Sequence, residues 1–167
     1  YVAANYRYMN PNTGVHPLST LLAQGGGDCG NLASILVSLL RAKEIPARHL
    51  VGMTPDGGNH AWAEFYTPGN GWVPVDPADV RKVVLEEKPQ PTTLTDPVVP
   101  PVRKALFGSW EMNWLAYNTA HDLLLPGATR GKVPFFMYPQ AETAEGRLDC
   151  LDPEHFKYQI GARGLTA

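Results

Sequence analysis

Three side chains in this chain could act together on a carbonyl: the thiol of Cys29, the imidazole of His60 and the carboxylate of Asp76. A thiol attacks usefully only as the thiolate, which a helix N-terminus or a neighbouring imidazole favours. Cys29 stands in "GGGDCGNLAS", with three glycines and Asp28 before it and a helical apolar pattern after it. At a helix start the macrodipole and the unpaired N–H groups favour negative charge, and the same groups can hold the oxyanion of a tetrahedral intermediate. Gly25, Gly26, Gly27 and Gly30 leave room for a substrate backbone to come close. Position alone leaves a second reading open, because free cysteine is also among the residue types most often buried as small hydrophobes.

His60 follows "DGGN" and opens an alternating stretch, so it falls at an element end where a side chain can face a cleft. Asp76 lies on the returning strand. A hairpin turning at Asn70 would pair residue 64 near 76 and residue 60 near 80, which leaves Asp76 about four residues from His60 unless a bulge, a slipped register or a longer turn intervenes. In "VDPA" the same aspartate could instead close the strand through an Asx-type turn before Pro77.

The elements that must position these groups are legible. From Gly30 to Lys43, Leu32, Ile35, Leu36, Leu39 and Leu40 recur at spacings of three and four, a core-facing helical stripe. Asp28 falls where an N-cap is expected, and Pro46 stops the far end. "ARHLVGM" is rich in strand formers. "HAWAEFYT" alternates, with His60, Trp62, Glu64 and Tyr66 on one face and Ala61, Ala63 and Phe65 on the other. "PGNG" is a hairpin turn and "WVPVDPA" the returning strand. The expectation is a helix followed by a three-stranded antiparallel sheet. Before it, residues 1–20 suggest a short helix or extended arm, then a turn at Pro11–Gly14. After it, five prolines between Pro89 and Pro101 suggest a surface connection rather than a helix. "GSWEMNWLAYNTAHDLLL" and "KVPFFMYPQAETAEG" then look strand-rich.

Composition narrows the classes. The 167 residues are 44% hydrophobic with a formal net charge of -2, a globular composition with no basic excess for nucleic acid. No apolar run reaches the roughly 18 residues of a transmembrane span. Two cysteines are too few for a disulfide framework, and no Cys/His cluster suggests zinc or another metal cofactor. A Cys29–Cys150 disulfide stays open, but is disfavoured if Cys29 is a nucleophile. The chain starts at Tyr1 without a Met or a basic-apolar leader, and is expected to be part of a longer polypeptide.

Three blocks in order, "GDCGNLASILVSLLRAKEIPAR", "HAWAEFY" and "GWVPVDPA", resemble the transglutaminase-like superfamily, over roughly residues 20–80. "NTAHDLLLP" and "PFFMYPQAE" also look like C-terminal parts of bacterial members. The resemblance implies an α+β fold: a papain-like core with the nucleophile at a helix start packed on an antiparallel sheet, and a β-rich C-terminal extension. It implies three regions: a catalytic core over 1–85, a Pro-rich connection over 86–106, and the extension over 107–167 packed on the core. It also implies that Cys29 is the nucleophile, His60 the general base and Asp76 the residue that orients the histidine, with the last two meeting on adjacent strands. Papain-like enzymes place a glutamine in the oxyanion hole upstream of the cysteine. Gln24 could fill that role or be a polar loop residue. Trp62 and Trp72 could wall an acyl-substrate slot or be core aromatics on paired strands. Asp28 is expected to be a cap, Glu64 and Asn59 structural. His121 and Asp122, adjacent on a strand, would face opposite ways and make a poor dyad. His16, His49, His155 and Cys150 show no partner pattern.

The chemistry implied is acyl transfer from a peptide or protein amide through a thioester, with no cofactor. Water as acceptor gives a protease, deamidase or amidase, and a lysine amine gives a crosslink. Hydrolysis is favoured here, since no acidic calcium-loop pattern of the D-x-D-x-D kind is present to support calcium-regulated crosslinking. A domain used only for binding or scaffolding is the non-enzymatic alternative, opposed by the presence of all three candidate residues. Relatives of this kind in bacteria are often parts of larger or exported proteins, so the sequence leaves compartment and oligomeric state open.

Overall fold

The computed structural model describes residues 1–9, 16–54, 58–80, 97, 99–109 and 114–161. Helix α1 (Val2–Asn5) leads into β1 (Arg7–Tyr8). Helix α2 (Leu18–Gln24) ends in Gly25, held at φ 78°, and β2 (Gly26–Gly27) follows. The first two strands pair in parallel, Arg7 with Gly26 and Tyr8 with Gly27. A Cβ on Gly26 would lie 2.1 Å from the Arg7 carbonyl oxygen, so the pairing requires glycine there. The turn expected at Pro11–Gly14 lies outside the described residues.

Helix α3 (Cys29–Arg41) is the centre of the fold. Asp28 caps it, its side chain accepting from the Asn31 N–H at 2.9 Å. The helix stops where Glu44 takes a left-handed φ of 61° and Pro46 follows. Leu32 and Ile35, fully buried, pack with Val2, Leu21 and Ala78. On another side Ala33 and Val37 pack with Ala47, Ala63 and Val75. Alanine on both surfaces lets helix and sheet approach closely.

The sheet runs in the order β5-β4-β3-β6, antiparallel throughout, from β3 (Ala47–Met53), β4 (Asn59–Thr67), β5 (Gly71–Val75) and β6 (Leu115–Asn118). The expected hairpins are present, and β6 adds a fourth strand, with its register shifting between Val51 and Gly52 of β3. After β5 comes the single turn α4 (Pro77–Asp79), then α5 (Val99–Ala105). The Pro-rich connection lies largely outside the described residues. Its last part, however, is helical rather than extended: Pro100 and Pro101 occupy the first turn of α5, where a missing N–H costs nothing. The tail of α5 flanks β5, with Val75 bridging Phe107 and the Gly108 N–H donating to the Pro74 carbonyl.

Beyond β6 the chain is more irregular than its strand-rich sequence suggests. The described residues there are turns and bends joined by the isolated bridges Leu123–Val133 and Glu142–Arg147. Side chains replace the missing ladder. Arg147 donates to the carbonyls of Gly131 and Lys132 and to Glu142, and Thr129 donates to the same carboxylate. Asp122, expected on a strand, has φ 53°, which no strand accommodates.

Candidate active site

Cys29 is the first residue of α3, half-buried and a free thiol, as is Cys150. It packs on one side against the Leu21–Leu32 cluster and on the other against Val51, Ala61 and Met137. Asp28 is a cap, as expected. It takes up N–H groups of Asn31 and Gly30, and burial, only partly offset by those bonds and by His16, raises its pKa.

His60 sits near the start of β4 with its side chain buried, and its Nε2 lies 2.6 Å from Asp76 Oδ2. The register explains the meeting. The loop of Pro68, Gly69 and Asn70 pairs Thr67 with Gly71, so Glu64 faces Pro74 and Ala63 faces Val75, not residue 76 against 64. One step further, Asp76 stands opposite Trp62, on the face of His60 and diagonal to it, within side-chain reach. Asp76 also caps α4: its Oδ1 accepts from the Ala78 and Asp79 N–H groups at 2.8 and 3.1 Å. Asp76 makes both contacts at once, one oxygen serving the turn and the other the imidazole. Its backbone N–H donates to the Leu106 carbonyl, so the segment after α5 helps fix the carboxylate.

Burial alone would lower the pKa of His60. The hydrogen bonds and negative charges of Asp76 and Cys29 outweigh it and raise the value to about 10. Aromatic rings enclose the imidazole. Trp62, fully buried, stacks on it at 5.9 Å between centroids, and Trp114 meets it edge-on at 4.7 Å. A ring stacked at that distance favours a cation. Trp62 therefore belongs to the site. Trp72 does not: it is 39% exposed near the far end of the sheet, under the Arg48 guanidinium at 4.1 Å and against Tyr66. Glu64 pairs with Arg48 at 2.7 Å and is structural. Asn59 donates to the Tyr158 hydroxyl. Gln24 is exposed and gives one amide N–H to the Gly26 carbonyl at 2.7 Å, bracing the loop before the thiol. His121 lies in a bend and stacks on His49, and His155 pairs locally with Asp152.

Three residues at the site were not singled out from sequence. Trp114 gives no local signal, being 54 positions from His60. Tyr138 shares the apolar wall behind Cys29, and burial together with the charges of Cys29 and Asp28 raises its pKa. Asp79 places Oδ1 3.8 Å from His60 Nε2, and an acid three residues after an N-cap was a readable capping pattern. Among the described residues His60, Asp76 and Asp79 cluster tightly enough to be considered as metal ligands. The direct 2.6 Å contact between His60 and Asp76 is that of a hydrogen-bonded acid–base pair and would have to part to admit an ion.

A cysteine at a helix start, an imidazole beside it and a carboxylate behind the imidazole agree with the family comparison, in which residues 1–77 match the transglutaminase-like superfamily core. Residues 1–77 are thus similar to the core of that superfamily. An uncharacterized protein of Haemophilus influenzae is 36% identical over 165 residues, 83% of this chain and 44% of the relative. A protein-glutamine gamma-glutamyltransferase of Pseudomonas aeruginosa is 33% identical over 86 residues, 43% of this chain and 13% of the relative. The chain thus spans less than half the length of these curated relatives. Among solved structures, one titled a putative cysteine protease, from Cytophaga hutchinsonii, is similar with a TM-score of 0.42 and 28% identity, over 46% of this chain and 27% of that one. The periplasmic domain of TgpA from Pseudomonas aeruginosa gives a TM-score of 0.35 and 27% identity, over 43% of this chain and 32% of that one. The matched stretch ends just past Asp76, so all three candidate residues fall inside it.

Proposed function

We propose that this protein transfers the acyl group of a peptide or protein amide to Cys29 and releases it mainly to water, as a cysteine protease, deamidase or amidase. The observation that carries the reading is the buried 2.6 Å contact of His60 with Asp76 beside the half-buried thiol at the head of α3. Asp76 occupies Nε2 of the ring, which leaves Nδ1 to serve the sulfur. The imidazolium stabilises the thiolate. The sulfur attacks the carbonyl carbon, a C–S bond forms, and the carbonyl electrons move onto oxygen. The Cys29 N–H is suited to that oxyanion, and Gln24 keeps a second amide hydrogen for it. When the intermediate collapses, the C–N bond breaks and His60 gives its proton to the leaving amine. The neutral ring then takes a proton from water, which attacks the thioester and regenerates the thiol.

A second reading, transfer to a lysine amine, is favoured by the glutamyltransferase name of the Pseudomonas relative. One experiment separates the two. A mixed peptide pool is incubated with the protein, with and without an added primary amine, and the products are read by mass spectrometry. New termini or deamidated side chains in the wild type that vanish in Cys29→Ala support hydrolysis. Amine adducts that vanish in Cys29→Ala support transfer. Identical pools from wild type and Cys29→Ala would sink both.

A further inference from the structure

His49 is a buried polar group that the reaction above does not use. It lies on β3, on the face that packs against α3, paired with Ala63 and two residues before Val51. The residue is half-buried as a whole, but both ring nitrogens are shut off from solvent and meet no hydrogen-bond partner among the described residues. Leaving such groups unpaired is costly, and native interiors seldom carry the cost without a reason. The ring stacks on His121 at 5.7 Å between centroids. Burial first, and the charge of His121 second, bring its pKa down to about 4. At neutral pH the ring is uncharged, with one nitrogen able to donate and the other to accept.

His49 lines a cavity of about 50 Å³ together with Val51, Ala61, Met137, Tyr138 and Asp28. That volume admits the end of a side chain, not a whole ligand. Cys29 packs against the same Val51–Ala61–Met137 wall. The cavity therefore adjoins the thiol through an apolar wall and presents a polar group with unmet bonds.

We infer that this cavity holds a substrate side chain on the acyl side of the reacting carbonyl, one with an apolar stem and a neutral carboxamide end, and that His49 reads the carboxamide. The inference rests on the proposal that Cys29 is the nucleophile. Val51, Ala61 and Met137 suit the stem. The amide oxygen accepts from the ring N–H, or the amide N–H donates to the bare ring nitrogen. An apolar end of equal length would leave His49 unpaired. A carboxylate would face Asp28 and find no lysine or arginine in the lining, only the imidazoles of His16, His49 and His121.

The test uses the whole chain and two series of N-acetyl dipeptidyl chloromethyl ketones, carrying Gln, Met or Glu at the first or second residue from the ketone. Cys29 sulfur forms a C–S bond, the C–Cl bond breaks and chloride leaves. The rate is followed on the Cys29 peptide by mass spectrometry, with iodoacetamide as a reagent that carries no side chain. In one of the two series Gln reacts about tenfold faster than Met or Glu, the factor for one hydrogen bond gained. His49→Phe removes that preference and leaves the iodoacetamide rate unchanged. If the variant fails to fold, which the iodoacetamide rate reports, the wild-type ranking decides alone. Met matching Gln in both series, or a Gln preference that persists in folded His49→Phe, overturns the inference and leaves the nucleophile standing. Iodoacetamide reacting no faster at Cys29 than at Cys150 overturns the nucleophile and the pocket with it.

Discussion

Asp76 divides its two carboxylate oxygens between two tasks: Oδ1 holds the first turn of α4 and Oδ2 holds His60 at 2.6 Å. A residue that only closed a strand would need no buried imidazole, and one that only oriented a base would need no helix to cap. Because α4 follows Asp76 directly, the cap fixes the carboxylate's rotamer independently of the histidine. The imidazole is thus aimed by a preorganised partner.

The division makes Asp76→Asn informative. An asparagine oxygen can still accept from the Ala78 and Asp79 N–H groups, so α4 should survive. The charge facing His60 is lost. Turnover, on whichever amide proves to be a substrate, should fall by roughly 10²–10⁴, while the far-ultraviolet circular dichroism stays that of the wild type. An Asp76→Asn protein with wild-type turnover would remove Asp76 from the mechanism. Asp76→Ala loses the cap as well and should cost a further ~1 kcal/mol of stability.

Two histidines bend the pH dependence of stability in opposite directions. The folded-state pKa of His60 is raised to about 10, against an ordinary 6.5. The stability it supplies is complete below about 6.5 and is lost as pH rises towards 10, because the folded state keeps a proton that the unfolded chain has released. The pKa of His49 is lowered to about 4. Its contribution is present above about 6.5 and is lost as pH falls towards 4, where the unfolded chain takes a proton that the folded one refuses. Urea midpoints measured from pH 4 to 10 should therefore peak near 6.5. Asp76→Asn should flatten the alkaline limb, and His49→Phe the acid one. A wild-type midpoint that does not drop between 6.5 and 10 would mean that His60 is not charged in the fold.

What the sequence made legible were local periods. The apolar stripe of α3, its Asp28 cap and the alternation of β4 all repeat within a few residues, and each appears in the structure, except that Leu39, expected to face the core, is 39% exposed in the last turns of the helix. The His60–Asp76 distance was misjudged because it depends on loop length. A turn centred one residue earlier changes the pairing sum by two, which turns a four-residue offset into a diagonal contact. Trp114 was invisible because its place over His60 is fixed by β6 pairing with β3, a contact more than sixty residues apart in the chain. Beyond β6 the aromatic residues resembled strands. Backbone turns and the Arg147 contacts instead settle that region, and such long-range side-chain bonds leave no periodic trace. Trp72 shares the alternation of the strands around His60 and Asp76, but its distance along the sheet takes it away from the site.

Gly26 ties the approach of the thiol to the N-terminal arm. Since a Cβ there would sit 2.1 Å from the Arg7 carbonyl oxygen, Gly26→Ala must separate β1 from β2. That moves the loop two residues ahead of Asp28, the cap that sets the first turn of α3. Alkylation of Cys29 by iodoacetamide should slow several-fold, and hydrogen exchange at the Met9 N–H, which donates to the Gly27 carbonyl, should speed up. Gly146→Ala, where nothing lies within 4 Å, should change neither. Equal alkylation rates in the two variants would show that the arm does not position the thiol.

Gly52 sets the distance between β6 and the histidine. It pairs with His60 on one side and with Ala116 on the other. A Cβ on it would lie 2.0 Å from the Leu115 carbonyl oxygen. Gly52→Ala therefore has to push β6 away from β3, and Trp114, immediately before β6, should move with it. The main core would remain, because one cluster around α3 is built from α1, α2 and α4 and the other from β3, β4 and β5, neither using β6. A stability loss of about 1–3 kcal/mol follows from the overpacking alone. If Trp114 shields the His60–Asp76 pair from water, turnover should fall by more than that loss explains at a temperature where the variant is fully folded, and tryptophan emission should shift to the red as the ring is wetted. His60 should then titrate below its wild-type value by NMR, as solvent screens the charge of Asp76. A red shift with unchanged turnover and unchanged His60 titration would make Trp114 a packing residue only.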